Sequence, residues 1–502
     1  MINIITKTGA TPENNVNLAV GSPFMRQETG TSAGSLSNSV TYRADYQNEY
    51  DSGYRSSSSQ TSNHLGLTFT KTYSDGSVSL DLLGLRQFID FPGALTQAEE
   101  QQDRSQAGDY VSTYFANTGL AALDWQQQYN AGWHSDTALS YRTQAASVFG
   151  GTDNQNYGTA QLNPQVYGKF TLWQRPIGVN LGMLLSNETY DYTGSIQDAN
   201  QQQFGLNAGL SIPISPKLTG SVDARTVAVD TAGTFINTGS YPYQFNPPSS
   251  QTQHINLLSL GLEDQLNAAT QVYLRRAMGY QLPFIDESSN SPYPSTGFGL
   301  QATTSTEYET GVNWQGARLK LTAEAFINEL NNEIGYYSPN NNPYGGYNYN
   351  MDPTEREGVS LDGQYQASLQ WTLGASGTLM NNRFRAGPDA GNQIPGSSNL
   401  LANVNARYQF NPIWSVYTEA QYTGAQYAEG DNANVSSEMP GYWLLNAALN
   451  AEFNAWLWNF RIDNITNTQY NLATVYFTTT NSVGYYPAPG RSYLLSVNYK
   501  FH

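Results

Sequence analysis

The chain has 502 residues, a net charge of −17, only 13% charged residues and no cysteine. The acidic balance argues against a nucleic-acid partner, and the lack of thiols rules out disulfides and thiolate metal sites. No run approaches the roughly 18 consecutive apolar residues of a membrane-spanning helix, and the most apolar window, 442–458, is broken by Asn446, Asn450, Glu452 and Asn454. Met1-Ile-Asn-Ile-Ile-Thr-Lys-Thr-Gly opens the chain as a short β-type segment with no basic region or cleavage site. It is not a secretory signal peptide, so a mature or truncated form is expected. Strands are expected near 16–20 and 26–36. After them, Val40, Tyr42, Ala44 and Tyr46 alternate with Thr41, Arg43 and Asp45. Leu319, Leu321, Ala323, Ala325 and Ile327 likewise oppose Lys320, Thr322, Glu324, Phe326 and Asn328, and Trp456, Trp458, Phe460 and Ile462 oppose Leu457, Asn459, Arg461 and Asp463. Period-two alternation of this kind marks strands with two unlike faces.

Short and long spacers take turns between these segments. The short ones include 74–77, 173–176, 215–217, 267–268, Gly316, 411–412 and 453–454. The long polar ones are 49–58, 89–108, 145–157, 192–201, 230–251, 280–300, 335–348, 384–398, 427–439 and 471–489. The last segment places Tyr493, Leu495, Val497, Tyr499 and Phe501 on one face, and Leu494, Ser496, Asn498 and Lys500 on the other. An apolar outer face, a mostly polar inner face and tight turns alternating with long loops describe a transmembrane barrel. The fold expected is all-β, an antiparallel transmembrane β-barrel of about 22 strands, too wide for its own side chains to fill. The 36 tyrosines suit interfacial girdles. A soluble sandwich or propeller would need shorter strands, and no propeller-length repeat is present.

Five pieces of sequence then resemble one family, the TonB-dependent outer-membrane receptors, over essentially the whole chain. The opening segment resembles the end of that family's plug domain. Tyr308-Glu-Thr-Gly-Val312 and Arg356-Glu-Gly-Val-Ser-Leu361 resemble two barrel strands, with Ser360 where Glu is common. Asn464-Ile-Thr-Asn-Thr-Gln-Tyr470 and Tyr486-Pro-Ala-Pro-Gly-Arg491 resemble the last two motifs, in order. The closing strand looks like the signal by which such proteins reach the barrel assembly machinery, carried by Tyr493, Leu495, Val497, Tyr499 and Phe501. The resemblance implies a remnant of the last plug strand at 1–9 and a barrel at 10–502, in the outer membrane of a Gram-negative bacterium among lipid and lipopolysaccharide. It implies uptake of a scarce ligand, a ferric siderophore or similar chelate, with a plug and the TonB complex as partners. A plugless passive pore, a split receptor with its plug on another chain, and a surface exploited by phage or toxins are the alternatives.

Function on such a scaffold concentrates in the long loops. The segment 335–349 offers Tyr336, Tyr337, Tyr344, Tyr347 and Tyr349 as flat amphipathic faces suited to a bulky planar ligand. Packing of the loop or the aromatic girdle is the plainer reading of the same residues. Tyr241 and Tyr243 form a second such group. Tyr485 and Tyr486 belong to a motif and read as structural. Phe91-Pro-Gly-Ala-Leu-Thr96 and Gln281-Leu-Pro-Phe-Ile-Asp-Glu287 resemble family loop motifs that point to a small organic or chelate ligand. His64, His134, His254 and His502 lack metal-ligand spacing. Without a positioned nucleophile or base, no enzyme, cofactor or resident metal is expected.

Overall fold

The computed structural model describes residues 11–148, 153–192, 197–234, 236–237, 244–245, 249–289, 300–337 and 346–501. The opening segment 1–9, His502 and the tyrosines 241, 243 and 344 lie outside the described residues. One antiparallel sheet of 22 strands closes on itself. The strand Glu13–Ser22 pairs with Met25–Ser37 on one side and with the last strand, Ser492–Lys500, on the other. At that seam Asn15 lies opposite Lys500, Leu18 opposite Val497 and Ser22 opposite Tyr493. Both ends of the sheet therefore meet at one rim, where Phe501 N donates to Asn14 O at 3.0 Å. Closure leaves no free edge with unpaired backbone groups, which a bilayer would not tolerate.

Alternation decides which face each residue takes. Leu18, Val20, Leu495, Tyr499, Trp456 and Phe460 point outward and remain exposed. A continuous apolar exterior of this extent is stable only against lipid. The inward face is polar and internally bonded. Arg43 pairs with Glu13 at 2.9 Å and with Asp45 at 2.7 Å. Asn459 donates to Asn450 at 2.7 Å across neighbouring strands. An aromatic belt rings the short-turn end. Trp371 and Tyr408 have centroids 4.6 Å apart, and Trp456 and Tyr499 are 4.5 Å apart. Elsewhere at this end, Trp125 Nε1 donates to Tyr73 OH at 2.7 Å. Such rings anchor a barrel at the membrane interface. Among the described residues no helix is long and apolar enough to cross a membrane.

The structure corrects some loop bounds. Segments 145–157 and 192–201, expected as loops, are largely strand: Trp133–Val148 pairs with Asp153–Leu172, and Arg175–Tyr192 with Gln197–Pro213. Their Gln, Asn and Tyr residues carry the ladder beyond the apolar belt, where both faces can be polar. The connection between Ser22 and Met25 is short although it lies at the long-loop rim. Two short helices, Gln97–Gln102 and Ile285–Ser289, sit inside long loops. The first is started by a capping box: Glu99 N donates to Thr96 Oγ1, and the Glu99 carboxylate accepts from Thr96 N at 2.7 Å.

Candidate ligand-binding site

The long loops at one side of the rim are bonded to one another. Leu95 and Tyr485 exchange backbone hydrogen bonds of 2.9 and 2.8 Å, joining loop 92–111 to loop 464–491. Glu429 N donates to Thr474 O, and Tyr476 N donates to Glu429 O, both at 2.8 Å, adding loop 424–441. Gln393 N donates to Asn434 Oδ1 at 2.7 Å and brings in loop 385–399. Asn432 Nδ2 donates to Tyr349 OH at 2.8 Å and brings in loop 332–353. Arg104 Nη2 donates to Tyr470 O at 2.5 Å and its other amine pairs with Glu100, fixing the first helix. Apolar residues fill the joints: Leu95 is 0% exposed, Ala428 1% and Phe477 7%. The result is an ordered cap rather than independent loops.

Within this cap lies a cavity of about 490 Å³, inside the ~300–1,000 Å³ range typical of small-ligand sites. Tyr110, Tyr336, Tyr349 and Tyr486 line it with Met351 and Phe477. Its polar groups are Glu429, Asn432 and the Glu333–Arg356 pair, whose closest atoms are 2.9 Å apart. Tyr336 is brought to the wall by the small hairpin Ile334–Tyr337 and Tyr347–Asn350. Gly346 fits there because a Cβ would fall 2.5 Å from the Tyr337 carbonyl oxygen as well as against the Tyr336 ring. Enclosure by the cap pushes the Tyr336, Tyr349 and Tyr486 hydroxyls above the usual phenol range, so they stay protonated as donors. Burial also raises Glu429 above the usual carboxylate range, although its side chain is open to the cavity. The carboxylate is reachable from the cavity, and the low-polarity walls around it account for the shift.

The expected tyrosines separate into two groups. Tyr336 and Tyr349 line the cavity, whereas Tyr337 and Tyr347 pack on each other at 5.0 Å, with Tyr337 OH bonded to Thr478 at 2.9 Å. Tyr486, read from its motif as structural, lines the cavity as well. Tyr110, Met351, Glu429, Asn432 and Phe477 were not anticipated. They lie on four loops far apart in sequence; Glu429, Asn432 and Phe477 fall within long polar spacers, whereas Tyr110 and Met351 lie just beyond the spacers read from the sequence. Of Phe91–Thr96, Gly93 and Ala94 reach the cavity while Leu95 makes the joint. Segment 281–287 does not join this site. Ile285 is 0% exposed and packs against Tyr190 and Ala199 of the barrel wall. The Glu287 carboxylate accepts from Phe284 N at 2.8 Å, and burial holds it above the usual carboxylate range. That loop end is anchored through Ile285, with Asp286 and Glu287 half-buried and Phe284 exposed.

The remaining motifs serve local structure. Asn464, 4% exposed, accepts from Thr468 N at 2.8 Å and receives the Asn446 side chain's oxygen at its own N–H at 2.9 Å. Asn467 Oδ1 accepts from Arg491 N at 2.8 Å, tying the two motifs together below the closing loop. His64, His134 and His254 lie on barrel strands. Among the described residues no group of three or more His, Cys, Asp or Glu is placed to hold a metal ion.

The family model for the TonB dependent receptor-like beta-barrel matches residues 7–467. The chain belongs to the TonB-dependent receptor family. This is a family of transporters and receptors rather than enzymes, its barrels reside in the outer membrane, and its members interact with TonB and a ligand. No curated protein sequence matches the chain. Among solved structures, it is similar to the ferric yersiniabactin uptake receptor FyuA of Yersinia pestis, at 13% identity and TM-score 0.82, covering 99% of this chain and 81% of that one. It is similar to the siderophore receptor PiuA of Acinetobacter baumannii, at 14% identity and TM-score 0.82, covering 99% and 82%. The ferric-catecholate import receptor Fiu of E. coli K12 matches at 15% identity and TM-score 0.76, covering 98% and 82%. At these identities the likeness establishes the fold.

Proposed function

We propose that this TonB-dependent receptor barrel imports a scarce ferric chelate, a siderophore or similar iron complex, across the outer membrane. The carrying observation is the tyrosine-lined cavity, built by five loops that are bonded into one cap. Rigid aromatic faces with protonated hydroxyls bind a bulky chelate at small entropic cost. The fold neighbours described as ferric yersiniabactin, ferric-catecholate and siderophore receptors support the same ligand class. In this reading the long loops face outward, the chain termini face the periplasm, and a plug coupled to the TonB complex moves the captured ligand inward. Assembly partners are the barrel machinery, recognising the strand that ends at Phe501, and the surrounding lipid and lipopolysaccharide.

A passive pore is the competing reading. Loops bonded across part of the mouth and a helix packed on the inner wall speak against an unobstructed channel. Deleting the gene in its host tests the choice. The account expects loss of energy-dependent uptake of at least one ferric chelate; unchanged uptake of every chelate, with loss of small-solute permeability instead, would favour the pore.

A further inference from the structure

We propose that the cavity selects chelates bearing a positively charged group, which Glu429 and the surrounding tyrosine rings receive. This rests on the reading of the cavity as the chelate site.

The argument takes each charge in the lining in turn. Arg356 is already committed: Nη2 donates to Glu333 Oε1 at 2.9 Å and Nη1 to Glu333 Oε2 at 3.2 Å. A guanidinium held in this two-pronged way has little left to offer a ligand anion. Glu429 is different. Its backbone is fixed by the 2.8 Å bonds to Thr474 and Tyr476, yet its carboxylate is open to the cavity. Among the described residues no basic side chain lies within ion-pair distance of it. The cavity therefore presents one uncompensated negative charge and no free positive one.

The neutral walls favour the same sign. Tyr110, Tyr336, Tyr349 and Tyr486 line the space, and aromatic ring faces attract cations. Acidic residues outnumber basic ones on the five enclosing loops, so the field over the cap draws cations in and repels anions. Arg55 lies outside the lining, 5% exposed and close enough to act on the Tyr486 hydroxyl, and Arg104 is held by Glu100 and Tyr470. The Arg55 Nε donates to Gln106 O at 3.0 Å, and its two terminal amines are closed off from solvent. That guanidinium is not among the groups lining the cavity, whereas Tyr486 is.

One ferric core carrying three charges provides the test. Ferrioxamine B ends in an ammonium, its N-acetyl derivative is neutral there, and its N-succinyl derivative is anionic. Binding to the folded, detergent-solubilised chain is followed by quenching of intrinsic fluorescence. We expect the ammonium form to bind about tenfold more tightly than the acetylated form, the scale of one charge-assisted contact, and the succinylated form to bind weakest. Glu429→Gln should erase the preference, so that the ammonium and acetylated forms bind within about twofold of each other. Heat-modifiability on gels verifies that the variant folds. Equal affinities, or tighter binding of the succinylated form, would overturn the charge selection and leave the cavity as the chelate site. No saturable binding of any of the three would overturn this inference, while the site reading itself falls only if no ferric chelate binds.

Discussion

The lipid-facing register of the closing strand has a quantitative consequence. Val497 stands between Leu18 and Trp458 on the outer face, while its neighbour Ser496 stands between Ala19 and Asn459 on the inner face. Placing an arginine on the lipid face near the middle of a barrel costs about 2–4 kcal/mol, falling to about 0–1 near the interfaces. Val497→Arg should therefore lower the folding free energy by roughly 3 kcal/mol, close to a 150-fold shift in the equilibrium at 1.4 kcal/mol per decade. Ser496→Arg enters a polar, water-accessible wall and should cost below about 1 kcal/mol by comparison with lumen substitutions. Reversible unfolding of both variants in thin-bilayer vesicles, scored by the heat-modifiable band across a guanidinium series, measures the difference. Equal losses in the two variants would refute the assignment of faces, and with it the register of the seam.

Further outcomes are expected elsewhere in the molecule. Tyr336→Ala should weaken binding of a ferric chelate about tenfold, as loss of a central aromatic contact does, whereas Tyr337→Ala should stay within threefold; the reverse order in a titration would displace the site from the cavity. Phe501→Ser removes the terminal aromatic of the closing strand and should lower the yield of heat-modifiable protein in outer membranes, and an undiminished yield would remove its role in assembly. Arg104→Ala loses the bonds to Tyr470 and Glu100, so loop 92–111 should become the first site of limited proteolysis; a digestion pattern identical to the parent's would show that the backbone joint at Leu95 holds alone. Burial raises Glu429 above its ordinary value, so the closed cap binds that proton more tightly than an opened one. Cap closure is then favoured at low pH and weakens as pH rises through the raised value. After correction for the intrinsic pH dependence of exchange, protection of loop 424–441 should fall over that window in the parent and stay constant in Glu429→Gln.

The barrel was legible because its rule is local. Alternation along 456–462 and 493–501 assigns faces without knowledge of partners, and the exchange of short and long spacers sets strand number and direction. The loop bounds at 145–157 and 192–201 were less legible: above the membrane, strands lose the apolar face that marks them, and polar residues there read as loop although their backbones remain paired. The site was legible only in part for a different reason. Tyr336 and Tyr349 stood out within one tyrosine-rich segment, but the cavity is completed by Tyr110, Glu429 and Phe477 from other loops. Long-range pairings such as Leu95 with Tyr485 bring them together, and no local pattern announces such a joint. From its motif Tyr486 reads as structural, yet it lines the cavity while its neighbours Pro487 and Ala488 are buried in the turn.

The central claim is that the cap cavity captures a ferric chelate, and equilibrium binding to the folded chain tests it most directly. A panel of ferric hydroxamate, catecholate and citrate complexes would be titrated against the parent and against Tyr336→Ala with Tyr349→Ala. The account predicts saturable binding of at least one complex by the parent, reduced about a hundredfold in the double variant if the two contacts add. Saturable binding left unchanged by both substitutions, or none at all to a demonstrably folded barrel, would contradict it.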